Sequence, residues 1–418
     1  MAQSALPASL RPEEESAWAP LREPLFRSLW VAAVISYTGT WMQNVGAGWL
    51  MTQLTTSPLM VSLVQAAGTI PVFLVILPAG ALADLVDRRR FLLVTQAWMV
   101  AAAAALAALT FEGMVTPGIL LLLTFLLGLG AVINDPAWQA ITPDVVSRRQ
   151  HAAAVTLNSV GFNVARAAGP ALGGAIIALA GSPAAFMLNA ISFFGVIFFL
   201  YRWRRPAQAV AGGSLREALV TGFQYVRTAP AARCVLVRTA TFSLGASALL
   251  ALLPIIARPH GATGYGLLLG SFGLGALAGA AVLPRLRIRY SVDGVVAFAI
   301  VLFAATTFLA GRDGSFPWLL GILFTSGAAW IGILACLNVA AQTMAPAYLR
   351  ARALSMYILV LQGGMALGSA AWGALATWVG IPVAMSWSAV ALIVGVFAVR
   401  HYPLASGQLD LAPAVIRD

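Results

Sequence analysis

Three charged residues stand inside long apolar runs, where an ion needs compensation. Arg166 lies about fourteen residues into its run, roughly 20 Å along a helix at 1.5 Å per residue. A guanidinium there can bind an anionic group of a ligand or pair with an acid during part of a working cycle. It can also donate to the backbone carbonyls freed by Pro170. Asp135 sits about one turn from the end of an earlier run and is the one acid well inside any of them. Arg238 has a similar depth in a later run. If these two face a shared space, they pair in one state and part in another. A carboxylate buried without its partner then takes up a proton. Asp135 and Arg238 are therefore candidates for proton coupling or gating, with a static salt bridge or a helix-end contact as the alternative.

Neutral polar and aromatic residues line up with these charges. Tyr37, Trp41 and Asn44 recur at i, i+4 and i+7 and so share one helical face, as do Asn158, Phe162 and Arg166. Trp330 stands mid-run, with Asn338 and Gln342 one turn apart beyond it. An aromatic-rich space holding an arginine suits an amphipathic, aromatic, anionic solute. The candidate binding residues are Tyr37, Trp41, Asn44, Arg166, Trp330 and Asn338, although each aromatic also reads as plain packing. No nucleophile–base set or metal cluster accompanies them. His151, His260 and His401 are scattered, Cys234 and Cys336 lie far apart, and no G-x-x-x-x-G-K-[ST] loop occurs. No cofactor or metal is expected.

The elements that must position these residues are membrane helices. Hydrophobic residues make up 60% of 418 and charged residues 9%, against about a quarter charged in a soluble domain. Apolar runs cover about 28–51, 60–82, 91–111, 117–140, 153–180 and 184–202. After a polar stretch they resume at about 232–257, 264–284, 292–311, 317–343, 353–378 and 381–400. Each suits a helix spanning a bilayer. An all-α membrane protein of twelve spans follows, in two six-helix bundles at 28–205 and 232–400. The segment 1–27 reads as a short disordered cytoplasmic tail without the apolar core of a signal peptide. Residues 206–231 read as a cytoplasmic linker: Leu215, Leu219, Phe223 and Val226 follow Gly212-Gly213-Ser214 at helical spacing and predict an amphipathic helix. The segment 401–418 reads as a second tail.

All basic charge comes from arginine, and the net charge is +11. Of 25 arginines, 21 fall on the tails and on alternate connections, while the opposite connections hold only Arg258 and Arg312. The positive-inside rule then places both termini in the cytoplasm. The basic balance reflects topology rather than nucleic-acid binding.

The two halves read as repeats. Ala137-Trp138-Gln139-Ala140-Ile141-Thr142-Pro143 closes span four, and Ala340-Ala341-Gln342-Thr343-Met344-Ala345-Pro346 closes span ten. Gly169-Pro170-Ala171-Leu172-Gly173-Gly174 in span five has an echo in Gly368-Ser369-Ala370-Ala371-Trp372-Gly373 in span eleven. Paired bundles of equal topology suit a protein that rocks about a central site.

Gly80-Ala81-Leu82-Ala83-Asp84-Leu85-Val86-Asp87-Arg88-Arg89-Arg90 resembles the loop 2–3 signature of the major facilitator superfamily, with Asp87 where a second glycine is usual. The resemblance implies that Asp84 meets the N-terminus of span eleven and, with Arg88, gates the cytoplasmic side. The segment Gly169, Pro170, Gly173 and Gly174 resembles the exporter motif of that superfamily and implies close packing on span eight, where Gly266/Gly270 and Gly275/Gly279 keep the same spacing. Asn134-Asp135-Pro136-Ala137-Trp138-Gln139-Ala140 is similar to the enterobactin-exporter-like branch. The expectation is a monomeric secondary transporter in the bacterial cytoplasmic membrane. It would export a small amphipathic solute, siderophore-like or drug-like, in exchange for protons. An importer or facilitator of a metabolite or lipid is the nearest alternative. An intramembrane enzyme or a non-transporting scaffold is a more distant one.

Overall fold

The computed structural model describes residues 17–85, 87–139, 141–202, 230–312, 314–343, 345, 350–402 and 404, without side chains at 76–85 and at 88, 136, 143, 144, 231 and 351. Among these residues the regular structure is helical throughout. The long helices are α1 (Pro24–Leu54), α2 (Pro58–Leu85), α3 (Arg88–Phe111), α4 (Pro117–Gln139) and α5 (His151–Arg202). They are followed by α6 (Pro230–Ile256), α7 (Gly261–Arg289), α8 (Val292–Ala310), α9 (Phe316–Thr343), α10 (Arg350–Val379) and α11 (Ile381–Ala398). Ten of the eleven are long and apolar enough to cross a membrane. The exception is α1, which carries the Tyr37, Trp41 and Asn44 face and, beside it, Gln43.

Helix α5 is two antiparallel arms in one. Fifty-two residues would extend ~78 Å, more than twice the ~30 Å hydrocarbon core. The helix breaks at Gly181, whose φ of 80° and ψ of 168° favour a residue without a side chain. Contacts with α1 show that the chain reverses there. Trp30 meets Leu157 and Met42 meets Gly173, so the first arm runs parallel to α1. Gly46 then meets Phe186 and Gly39 meets Asn189, so the second arm runs back. The break at Gly181-Ser182-Pro183 recurs between α10 and α11 as Gly380-Ile381-Pro382, with φ 83° and ψ 161°.

The repeat extends to how the halves meet. A Cβ on Gly174 would lie 2.6 Å from the Ala262 carbonyl oxygen and 2.9 Å from the Gly266 Cα. The first arm of α5 therefore touches α7 backbone to backbone. Its counterpart Gly373 puts α10 against Leu59 and Ser62 of α2. In lipid, helices gain nothing from leaving water, so small residues that admit close approach hold such contacts together. Gly270 and Gly273 continue the seam against Ala171 and Ala167, whereas Gly275 and Gly279 turn toward Phe324 and Ala328 of α9. The span-eight glycines thus split between the inter-bundle seam and the packing of their own bundle.

Several expectations at the ends are corrected. Residues 17–27 are ordered: a short turn at Ala19–Arg22 buries Ala19 and Pro20, and α1 begins at Pro24 with Phe26 buried. Arg88, Arg89 and Arg90 form the first turn of α3 rather than a loop. Asp87, where the signature has glycine, caps that helix by accepting the Arg90 N–H at 2.8 Å. At the other terminus Leu404 is buried and its N–H donates to Asp293. The linker helix expected within 206–231 lies outside the described residues, except for the start of α6 at Pro230.

Candidate functional site

Between the two halves lies a cavity of about 490 Å³, walled by α1 to α5 on one side and by α6, α7, α9 and α10 on the other. Trp41 and Asn44 reach it from α1, Phe162 and Arg166 from α5, and Trp330 from α9. Two periodic faces read from the sequence therefore converge. The Phe162 ring stands edge-on to Tyr37, with centroids 5.3 Å apart, and to Trp41, at 6.4 Å. The Arg166 guanidinium lies over the Trp41 ring, 5.8 Å from its centroid. Such a contact contributes ~0.5–2 kcal/mol, far less than a desolvated cation needs. Among the described residues no carboxylate meets Arg166, and it is the one charged side chain on the cavity wall. An electropositive pocket with aromatic walls results.

Trp330 is buried within Phe242, Phe272 and Phe303, at 5.4, 6.0 and 5.7 Å between centroids. Its indole N–H has no hydrogen-bond partner among the described residues. Tyr37 lies one turn from Trp41 and off the cavity wall. Its hydroxyl accepts from the Trp138 indole and stands within electrostatic reach of Asp135. Asp135 is exposed, so α4 brings a carboxylate beside the aromatic face without placing it in the cavity lining. Asn338 is also outside that lining; its Oδ1 accepts from Gln342 at 2.6 Å.

Arg238 does not meet Asp135. Its guanidinium pairs with Asp293 of α8 at 2.7 Å and donates to the Tyr402 carbonyl at 2.6 Å. The two residues line a separate cavity of about 340 Å³ inside the second bundle. The face of α6 bearing position 238 turns toward α8 and the C-terminal turn, so depth alone misassigned its partner. Asp293 stands in the first turn of α8, behind the Ser291 cap, where the helix dipole also favours a carboxylate. The side chains of Asp84 and Arg88 lie outside the described residues. The neighbouring Arg89 donates to the Leu200 carbonyl at 2.9 Å and to that of Tyr201, closing the end of α5.

Sequence reasoning missed the neutral polar lining. Gln43 is hydrogen-bonded to Asn189, both buried, and Gln65, Thr124 and Gln362 face the cavity from α2, α4 and α10. A polar residue in an apolar run is the available signal, and Gln43, adjacent to Asn44, carried it. The first-arm motif is accounted for: Gly169 meets Trp41, Gly173 meets Met42, Pro170 and Gly174 face Gly266, and the Pro170 ring borders the cavity.

Two helical bundles repeating one topology around a central cavity define a transporter of the major facilitator class. The chain belongs to the transmembrane secretion effector family, whose match runs over residues 15–415. It is a multi-pass membrane transporter rather than an enzyme. It is 28% identical over 412 residues to the multidrug efflux pump Tap of Mycolicibacterium fortuitum, covering 94% of this chain and 98% of that one. It is 27% identical over 164 residues to the staphyloferrin A transporter of Staphylococcus aureus (strain NCTC 8325 / PS 47), covering 39% of this chain and 41% of that protein. Among solved structures, the fold is shared with the POT family transporter PepTSo (TM-score 0.74, 13% identity, 91% of this chain and 97% of that one). It is also shared with a bacterial homolog of Spinster in an inward-facing, unoccupied conformation (TM-score 0.70, 14% identity, 92% and 96%).

Proposed function

We propose that this chain is a secondary active exporter of a small amphipathic anion, siderophore-like or drug-like. It would cross the bacterial cytoplasmic membrane twelve times with both termini inside and work as a monomer. The ten apolar helices, with α5 counted as two crossings and α1 added, give that number. The observation that carries the reading is Arg166, a cation without a carboxylate partner in an aromatic-walled cavity shared by both bundles. An anionic group would supply the missing charge, and the flat walls would take an aromatic or acyl body. The name of one relative, a multidrug efflux pump, supports export; another relative is named a staphyloferrin A transporter. Asp135, beside Tyr37 and Trp138, is the proposed proton carrier, and protons would enter as substrate leaves. Alternating access follows from the repeat: the bundles would tilt about the cavity and expose it to one side at a time.

The test uses inside-out vesicles containing the purified protein, with a fluorescent aromatic carboxylate, or its neutral ester for comparison, added to the external medium. Acidifying the lumen should drive uptake of the carboxylate, and an uncoupler should abolish it. Uptake that ignores the proton gradient would reject antiport, and outward movement of the probe would reject export.

A further inference from the structure

Two arginines break the one-sided distribution, and the structure separates them. Arg312 stacks locally over Phe308, 4.2 Å from the ring centroid. Arg258 instead reaches from one bundle to the other. It opens the short turn Arg258–His260 between α6 and α7, at the end of the molecule distal to the two termini. Its guanidinium donates to the carbonyl oxygens of Thr52 and, at 2.7 Å, Thr55. These belong to the last turn and the cap of α1, in the other bundle. A helix C-terminus leaves carbonyls without intrahelical donors and carries the negative end of the dipole, so a guanidinium fits it in charge and in geometry. The seam beneath is closed as well. Gly48 admits the Tyr265 hydroxyl and Pro254, Gly174 meets Gly266, and the Leu59 N–H donates to Thr377 at 3.2 Å.

We propose that Arg258 is the latch of the distal gate: its clamp on the α1 carbonyls holds the cavity shut on that side, and each cycle must break it. Tilting the bundles apart at this end removes both acceptors at once, because they are backbone atoms fixed to α1. The specificity of the latch therefore rests on the Arg258 side chain alone. The inference rests on alternating access, and the experiment separates the failure of each.

The full chain, with Cys234 and Cys336 replaced by alanine, carries spin labels at the exposed positions Thr56 and Ser315, one in each bundle at the distal end. Distances are read in sealed proteoliposomes, across which a pH gradient can be set. Arg258→Gln should raise the ratio of long to short distances at least tenfold, as expected for losing one or two charge-assisted hydrogen bonds. Arg258→Lys keeps the charge without the planar fork and should fall between. A purely structural arginine would lower the melting temperature and leave the ratio alone, which would overturn the latch. If Arg258→Gln does not fold, the same comparison is made with Arg258→Lys, and an unchanged ratio there overturns the latch. If the parent shows one distance with and without the aromatic carboxylate and a pH gradient, alternating access itself fails and the latch with it.

Discussion

Gly174→Ala is the smallest change that tests the seam between the bundles. The added Cβ would lie 2.6 Å from the Ala262 carbonyl oxygen and 2.9 Å from the Gly266 Cα. Both are backbone atoms, so no rotamer change relieves the overlap and α5 must move away from α7. Over-packing of this kind costs about 1–3 kcal/mol. The gain in helix propensity, about 1 kcal/mol, applies in every conformation and cancels. The cost falls on the state in which the distal ends touch, so the ratio of distal-open to distal-closed protein should rise roughly 5- to 150-fold at about 1.4 kcal/mol per tenfold. Gly195→Ala is the control, because nothing lies within 4 Å of its Cβ position. The assay places a cysteine at Gln65, on the cavity wall, and measures its modification by an impermeant thiol reagent added from the distal side. Gly174→Ala should react several-fold faster than Gly195→Ala at similar melting temperatures. Equal rates would refute the claim that this seam closes the distal side.

Further perturbations probe the charges. Arg166→Gln should weaken binding of the aromatic carboxylate at least tenfold, the size of a charge-assisted hydrogen bond, and leave its neutral ester nearly unchanged; isothermal titration decides, and equal loss for both would mark Arg166 as a folding residue. Asp135→Asn should abolish gradient-driven uptake in inside-out vesicles yet preserve probe binding, and undiminished uptake would remove Asp135 from coupling. Asp293→Asn should lower thermal stability by about 1–3 kcal/mol through loss of the Arg238 pair, with probe affinity unaltered. A change in affinity with no loss of stability would place that pair in the transport path instead.

The helical class was legible because bilayer thickness sets the length of an apolar run and arginine marks its water-facing end. The repeat was legible in motifs such as Gly169–Gly174, where spacing four apart already implies one packing face. What pairs with what was not legible. Arg238 and Asp293 are far apart in sequence and meet only because α6 turns one face to α8. The depth of Asp135 was readable, but the direction of its side chain was not. The capping role of Asp87 was hidden because the superfamily signature assigned that position to a loop. Arg258 was visible as an exception to topology, but its acceptors are main-chain carbonyls, which carry no sequence identity. Neutral lining groups such as Gln65 and Gln362 were missed because a single amide in a long apolar helix barely changes its hydropathy.

In the proposed cycle two bundles tilt in opposition about one cavity. Label pairs at both ends of the molecule read that motion: Thr56 with Ser315 at the distal end, and Ser147 with Ser291 at the end near the termini. On adding the aromatic carboxylate and a proton gradient, one distance should lengthen as the other shortens, in the same fraction of molecules. Both distances changing in the same direction, or neither changing while the probe is transported, would rule out opposed tilting.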